Sequence, residues 1–163
     1  MNVWWCNQSR CWPEEFGARV VCSSTDTTQP KFRAMVSEAL KGDITVHYRK
    51  PLGVVAISRA RADAVAYSFG DARPICIYDE GYSFPAEYHV FQRSIPRDAV
   101  LARLFELRIA DGPVVRFRDG RVQIRQAYFM PFSAEGLRIV FEASNQNDWP
   151  TWALSAVRRR GAQ

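Results

Sequence analysis

Asp43-Ile44-Thr45-Val46-His47-Tyr48-Arg49 runs into Lys50-Pro51-Leu52-Gly53 and returns as Val54-Val55-Ala56-Ile57-Ser58-Arg59-Ala60. The first run alternates. Ile44, Val46 and Tyr48 take one face, and Thr45 and His47 take the other, which is the two-residue period of a strand. Pro-Leu-Gly is turn chemistry, and the second run carries the β-branched residues that strands favour. Residues 43–60 therefore read as a β-hairpin.

Working outward, residues 3–6 read as a short buried strand that enters polar Asn7-Gln8-Ser9-Arg10. A polar loop over 22–29 precedes Pro30, which opens an amphipathic helix to about residue 40. Phe32, Met35, Val36, Ala39 and Leu40 share its apolar face, and Gly42 stands just past its end. On the other side, residues 82–91 alternate as a strand. Pro96 starts a helix with a stripe of Val100, Leu101, Leu104 and Phe105. Residues 114–117 and 122–124 flank Arg118-Asp119-Gly120-Arg121, where Asp-Gly signals a tight hairpin. Ser133 is the N-cap of a helix to about residue 143, and Asp148 that of a last short helix over 149–159. Strands and helices mix without βαβ regularity, so the fold class is α+β with a curved or closed sheet.

Composition narrows the function. The chain has 163 residues, 47% hydrophobic and 24% charged. Those are the proportions of a folded domain. No apolar run reaches the ~20 residues that span a bilayer, and Met1-Asn2-Val3-Trp4-Trp5 lacks the basic-then-apolar order of a secretory signal. A cytoplasmic location is expected. The net charge of +5 permits a polyanionic partner. Cys6, Cys11, Cys22 and Cys76 are expected to be reduced thiols in that compartment. With two histidines, His47 and His89, no metal-ligand spacing appears, and no cofactor is expected. Gly-x-Ser-x-Gly, His-Glu-x-x-His, the P-loop and the dinucleotide fingerprint are absent. Asp79-Glu80 read as turn residues. Arg116, Arg118, Arg121 and Arg125 are interleaved with Phe117, Tyr128 and Phe129. On strands this pattern can line one face with cations that track a phosphate backbone. It also suits a strand edge protected by charge.

Several segments, in order, resemble the EVE-type domain of the PUA-like superfamily, related to the YTH domain. The likeness is nearest to the EVE-like modules at the front of bacterial modification-dependent HNH restriction endonucleases. The segments are Val3-Trp4-Trp5-Cys6-Asn7, Lys41-Gly42-Asp43-Ile44, Gly53-Val54-Val55-Ala56-Ile57, Glu80-Gly81-Tyr82-Ser83-Phe84-Pro85-Ala86-Glu87-Tyr88, Ile95-Pro96 and Gln126-Ala127-Tyr128-Phe129-Met130-Pro131-Phe132-Ser133. They cover residues 2–143, so residues 1–144 are assigned to the reader domain and 145–163 to a basic C-terminal helix and tail.

The resemblance implies a curved or closed mixed β-barrel flanked by helices, without catalysis. It implies recognition of a modified base flipped from a strand: methylated or hydroxymethylated cytosine, or methylated adenine. Flipping costs a few kcal/mol, and stacking on aromatic walls returns ~1–3 kcal/mol. The implied pocket residues are Trp5, Asn7, Cys22, Ser23, Tyr78, Tyr82, Gln126 and Tyr128. On the strand pair Trp4/Trp5, Trp5 is taken as the ligand-facing ring. Relatives often open the second strand with Trp-Ser; here the stretch is Val20-Val21-Cys22-Ser23, without the Trp. Phosphate contact is assigned to Lys31, Arg33, Arg49, Arg116, Arg118, Arg121 and Arg125. The implied partner is DNA ahead of RNA, with a nuclease or other effector subunit and no membrane. The alternatives are a PUA-like protein acting on tRNA or structured RNA, and an enzyme using Cys22 or Cys6 as nucleophile in the same cleft.

Overall fold

The hairpin over 43–60 sits at the centre of the sheet. In the computed structural model, β3 (Ile44–Arg49) pairs antiparallel with β4 (Gly53–Ala60). The residues described are 1–24, 35–68, 80–106, 114–118, 120–125 and 127–158. Outside β3 lies β1 (Val3–Asn7), which runs parallel to it, and then β9 (Phe129–Phe132), antiparallel to β1. On the other flank β4 pairs with the second half of β6 (Gly81–Ile95), and the first half of β6 pairs with β2 (Val20–Ser24) and β5 (Val65–Tyr67). The path β2-β6-β4-β3-β1-β9 curls into a half-barrel, and β7 (Val115–Arg118) with β8 (Arg121–Ile124) makes a separate ribbon. Its Asp-Gly turn carries Gly120 at φ +70°, the left-handed conformation that a tight hairpin requires.

Four α-helices complete the described residues: α1 (Trp12–Ala18), α2 (Arg97–Glu106), α3 (Ala134–Glu142) and α4 (Thr151–Arg158). Ser133 caps α3 by accepting the Gly136 N–H at 2.9 Å. Asp148 does not cap the last helix. It ends a 3-10 turn (Gln146–Asp148), accepts the Gln92 N–H at 2.6 Å and faces His89 across 3.4 Å.

The helix expected from residue 30 to 40 is described only from residue 35, where Met35–Glu38 form a single 3-10 turn. Leu40 lies beyond it and is half exposed instead of facing inward. Both faces of β3 are buried, Thr45 and His47 as fully as Val46, because the sheet curls over its second face. One further expectation changes. Cys22 is disulfide-bonded, so the thiols are not all reduced; Cys6 and Cys11 are free and buried.

Strand alternation splits the core in two. Val3, Trp5, Ile44, Val46, Tyr48 and Ile57 pack against α2, α3 and α4, and Trp149, Ala153, Ala156 and Val157 belong to this same core. Trp4, Cys6, Val21, Phe84 and Phe129 point into the curl, joined by Val36 and Ala39 of the segment around the first 3-10 turn. No helix among the described residues is long and apolar enough to cross a membrane.

Candidate functional site

The inner face of the curl holds most of the buried polar chemistry. Trp12 and Glu15 stand three apart on α1 and share its inward side. The Glu15 carboxyl, 1% exposed, lies among three donors. Its Oε1 accepts the Cys22 N–H at 2.9 Å and the Tyr128 hydroxyl, and its Oε2 accepts Gln8 Nε2. Gln8 Oε1 meets His47 Nδ1, and His47 Nε2 meets Ser58 Oγ at 2.7 Å. Tyr88 donates its hydroxyl to the Val20 carbonyl at 2.7 Å. The chain Ser58–His47–Gln8–Glu15–Tyr128 thus crosses the barrel interior without a cation among these partners.

Burial sets the charges. It pushes the Glu15 carboxyl up to about 7, against the pull of its Tyr128, Cys22 and Gln8 contacts. It pushes His47 down to about 3, leaving a neutral imidazole. It also raises the Cys6 thiol, with Glu15 adding to the effect. Cys6 is therefore a poor nucleophile, and Cys22 is held in its disulfide. The cysteine-enzyme alternative loses both of its named nucleophiles.

The expected pocket residues divide over the two faces of β1. Half-buried Tyr82 and Tyr128 pack on the inner cluster, and Ser23, buried on β2, lies in register with Tyr82. Cys22, next to Ser23 on the same strand, points to the opposite face of β2. Trp5 does not join the inner cluster. It is fully buried on the helical side, stacked on Tyr48 at 5.5 Å and edge-on to Phe132 at 5.2 Å. Reading Trp5 as the outward ring is corrected here. The strand alternation that separates Trp4 from Trp5 buries both, because the sheet has a core on each side.

Asn7 acts on backbone. Its Nδ2 donates to the Arg125 carbonyl at 2.8 Å and to the Ala127 carbonyl, while its Oδ1 accepts Trp5 Nε1 at 3.0 Å. It thereby pins both carbonyls that flank position 126. Tyr78 and Gln126 lie outside the described residues, as do Lys31 and Arg33. So do the side chains of Arg116 and Arg118.

Of the remaining cations, Arg121 is exposed on the ribbon turn. Arg49 and Arg125 are more telling. Arg49 ends β3 beside the end of β1, Arg125 is the residue whose carbonyl Asn7 holds, and each has a buried Nε without a hydrogen-bond partner. Arg49 lies over the Trp12 ring at 5.4 Å. Both sit at one end of the sheet with no carboxylate paired to either among the described ion pairs.

A cavity of about 360 Å³ lies elsewhere, between the end of β6 and the turn before α4, lined by Phe91, Arg93, Ile95, Ser144, Asn145 and Asp148. It shares no residue with the expected pocket. Sequence reading did not single out Glu15, Gln8 or Tyr88 as candidate site residues. The one available signal was the three-residue step from Trp12 to Glu15, which places that carboxyl and not Glu14 on the inward side of α1.

No family model and no curated protein matches this sequence. Solved structures do match in shape. Human THYN1, in complex with 5-methylcytosine-containing DNA, superposes with a TM-score of 0.53 over 87% of this chain and 96% of its own, at 12% identity. The fold is PUA-like. Two bacterial proteins share it: one from Pseudomonas putida (TM-score 0.51, 14% identity, 86% of this chain and 98% of that one) and one from Pseudomonas syringae (0.51, 13%, 86% and 97%). At these identities the likeness speaks for the PUA-like architecture and for nothing finer.

Proposed function

We propose that this chain is a non-catalytic nucleic-acid-binding module that reads a modified base, methylated or hydroxymethylated cytosine or methylated adenine, with DNA as the preferred polymer. The observation that carries the reading is the near end-to-end likeness to a PUA-like protein bound to 5-methylcytosine DNA, in a chain of net charge +5. Two structural features support it. Half-buried Tyr82, in register with Ser23, and half-buried Tyr128 pack on the inner side of the curl. Arg49 and Arg125, with no carboxylate paired to either among the described ion pairs, stand at the nearby sheet end, where their guanidinium heads can hold phosphate oxygens.

In this reading the base stacks against Tyr82 and Tyr128, with Tyr78 and Gln126 completing the wall and rim. Asn7 positions the strand segment that carries Gln126. Trp5 supports that strand from behind. Arg49 and Arg125 hold the flanking phosphates, with Arg116, Arg118, Arg121, Lys31 and Arg33 extending the track.

The test is a titration with oligonucleotides that differ only in the modification, as DNA and as RNA, at two salt concentrations. A modified DNA should bind more tightly than its unmodified twin, and RNA of the same sequence less tightly. Arg49→Gln and Arg125→Gln should weaken all sequences alike and each lower the salt slope by about 1. Binding no tighter than that of an equally charged polyanion ends the reader assignment. Binding that ignores the modification ends the selective pocket, and a preference for RNA transfers the function to structured RNA.

A further inference from the structure

We propose that Glu15 is a positioning residue for the base pocket: its carboxyl ties the two edge strands of the half-barrel together, and its proton sets how the pocket walls stand. The link to binding rests on the reader assignment above.

The sheet path ends on β2 at one side and β9 at the other, and these two strands do not pair. Among the described residues, one carboxyl oxygen hydrogen-bonds to both sides. Glu15 Oε1 accepts from the Cys22 main chain on β2 and from the hydroxyl of Tyr128, the residue that leads into β9. Cys22 precedes Ser23, which pairs in register with Tyr82. Tyr128 and Tyr82 are the two described aromatic candidates for the pocket, so one carboxyl oxygen holds both walls. Gln8, just past the end of β1, steadies the other oxygen.

An ionised carboxyl accepts all three of these bonds, whereas a protonated one must donate from one oxygen. The donors arranged here suit the ionised form, and losing a contact on protonation frees one wall from the other. The groups that face Glu15 are the Cys6 thiol from β1, the Tyr88 hydroxyl from β6 with Arg19 near it, Tyr128, and Glu14 from its own helix; His47 of β3 reaches it through Gln8. None of them is an ion-pair partner, so burial dominates and brings the proton exchange to about 7.

The test follows the Cys22 amide and the Tyr128 ring by NMR in the free chain from about pH 5.5 to 8.5. Affinity for a 5-methylcytosine oligonucleotide is measured over the same range. Both signals should titrate with one shared midpoint near neutrality. Affinity should rise at least about threefold through that midpoint as the ionised form takes over, and both dependences should vanish in Glu15→Gln. Separate midpoints, or titrations that persist in Glu15→Gln, overturn the proposal. So does a flat affinity beside a shared titration, since Glu15 would then hold the fold without setting the pocket.

If no oligonucleotide binds at any pH, the reader assignment fails, and the bridging role is decided by NMR alone. A shared midpoint lost in Glu15→Gln then keeps it, and anything else removes it. Should Glu15→Gln not fold, Tyr128→Phe serves instead. It deletes one donor to the ionised form, so the Cys22 midpoint must move upward; an unmoved midpoint overturns the proposal.

Discussion

On the helix-covered face of the sheet, Trp5 stacks on Tyr48, Phe132 closes its edge, and Val46, Ile57, Leu137 and Val140 fill the remaining space. On the inner face, Trp4 and Phe84 share the interior with Glu15, Gln8, His47 and Ser58. The first region gains about 25 cal/mol for each Å² of apolar surface removed from water. The second must offset the desolvation of a carboxyl and an imidazole with hydrogen bonds, and such groups contribute little net stability even when fully paired. Polar groups placed where apolar ones would hold the fold better set the inner face apart from the helical one.

Truncation at the centre of the helical core should break the molecule hardest. Trp5→Ala removes a fully buried indole and should cost about 3–5 kcal/mol by chemical denaturation. A much smaller loss would mean that the two faces are not energetically distinct.

The pH dependence of stability probes the inner face. Glu15 is raised from 4.5 to about 7, so its contribution is complete below about 4.5 and is lost as pH rises through about 7. His47 is lowered from 6.5 to about 3, so its contribution is complete above about 6.5 and is lost as pH falls through about 3. The windows overlap between 4.5 and 6.5, where the two slopes, each about 1.4 kcal/mol per pH unit, oppose and cancel. Urea denaturation should show a level stretch there, with a fall below it. Glu15→Gln should tilt this stretch upward with pH, and His47→Gln should tilt it downward. A level profile in both variants would place the carboxyl and the imidazole in contact with water.

A smaller effect is expected where β2 meets β6. A Cβ at Gly81 would lie 1.7 Å from the Ser23 carbonyl oxygen, so Gly81→Ala should separate the strands and cost about 1–3 kcal/mol. The loss should come with weakened oligonucleotide binding, since Ser23 and Tyr82 sit at that junction. The smallest effect belongs to the helical face: Ser133→Ala removes the α3 cap and should cost about 1 kcal/mol with binding unchanged. Weakened binding in Ser133→Ala would show that the two faces are coupled.

Much of the frame was readable before any coordinates. The 43–60 hairpin, the Asp-Gly ribbon turn and the Ser133 cap each depend on a few neighbouring residues, and local chemistry decides them. The site was legible only in part. Tyr82 and Tyr128 pack on the inner cluster and Ser23 lies opposite Tyr82, but Trp5 was read outward because alternation tells which residues share a face and not whether that face meets solvent. Asn7 was read as a ligand contact, while its hydrogen bonds go to carbonyls more than a hundred residues away, at Arg125 and Ala127.

From its sequence alone, this protein had its α+β class, its central hairpin and its basic, aromatic-rich character decided, because periodicity, turn residues and charge act over short distances. Tertiary structure alone decided that the sheet would curl and bury its second face. The same curling moved Trp5 into the core and His47 and Glu15 into the interior. It also left β2 and β9 unpaired with each other, with one carboxyl between them. Burial and long-range pairing depend on where distant segments come to rest, and no local pattern records that.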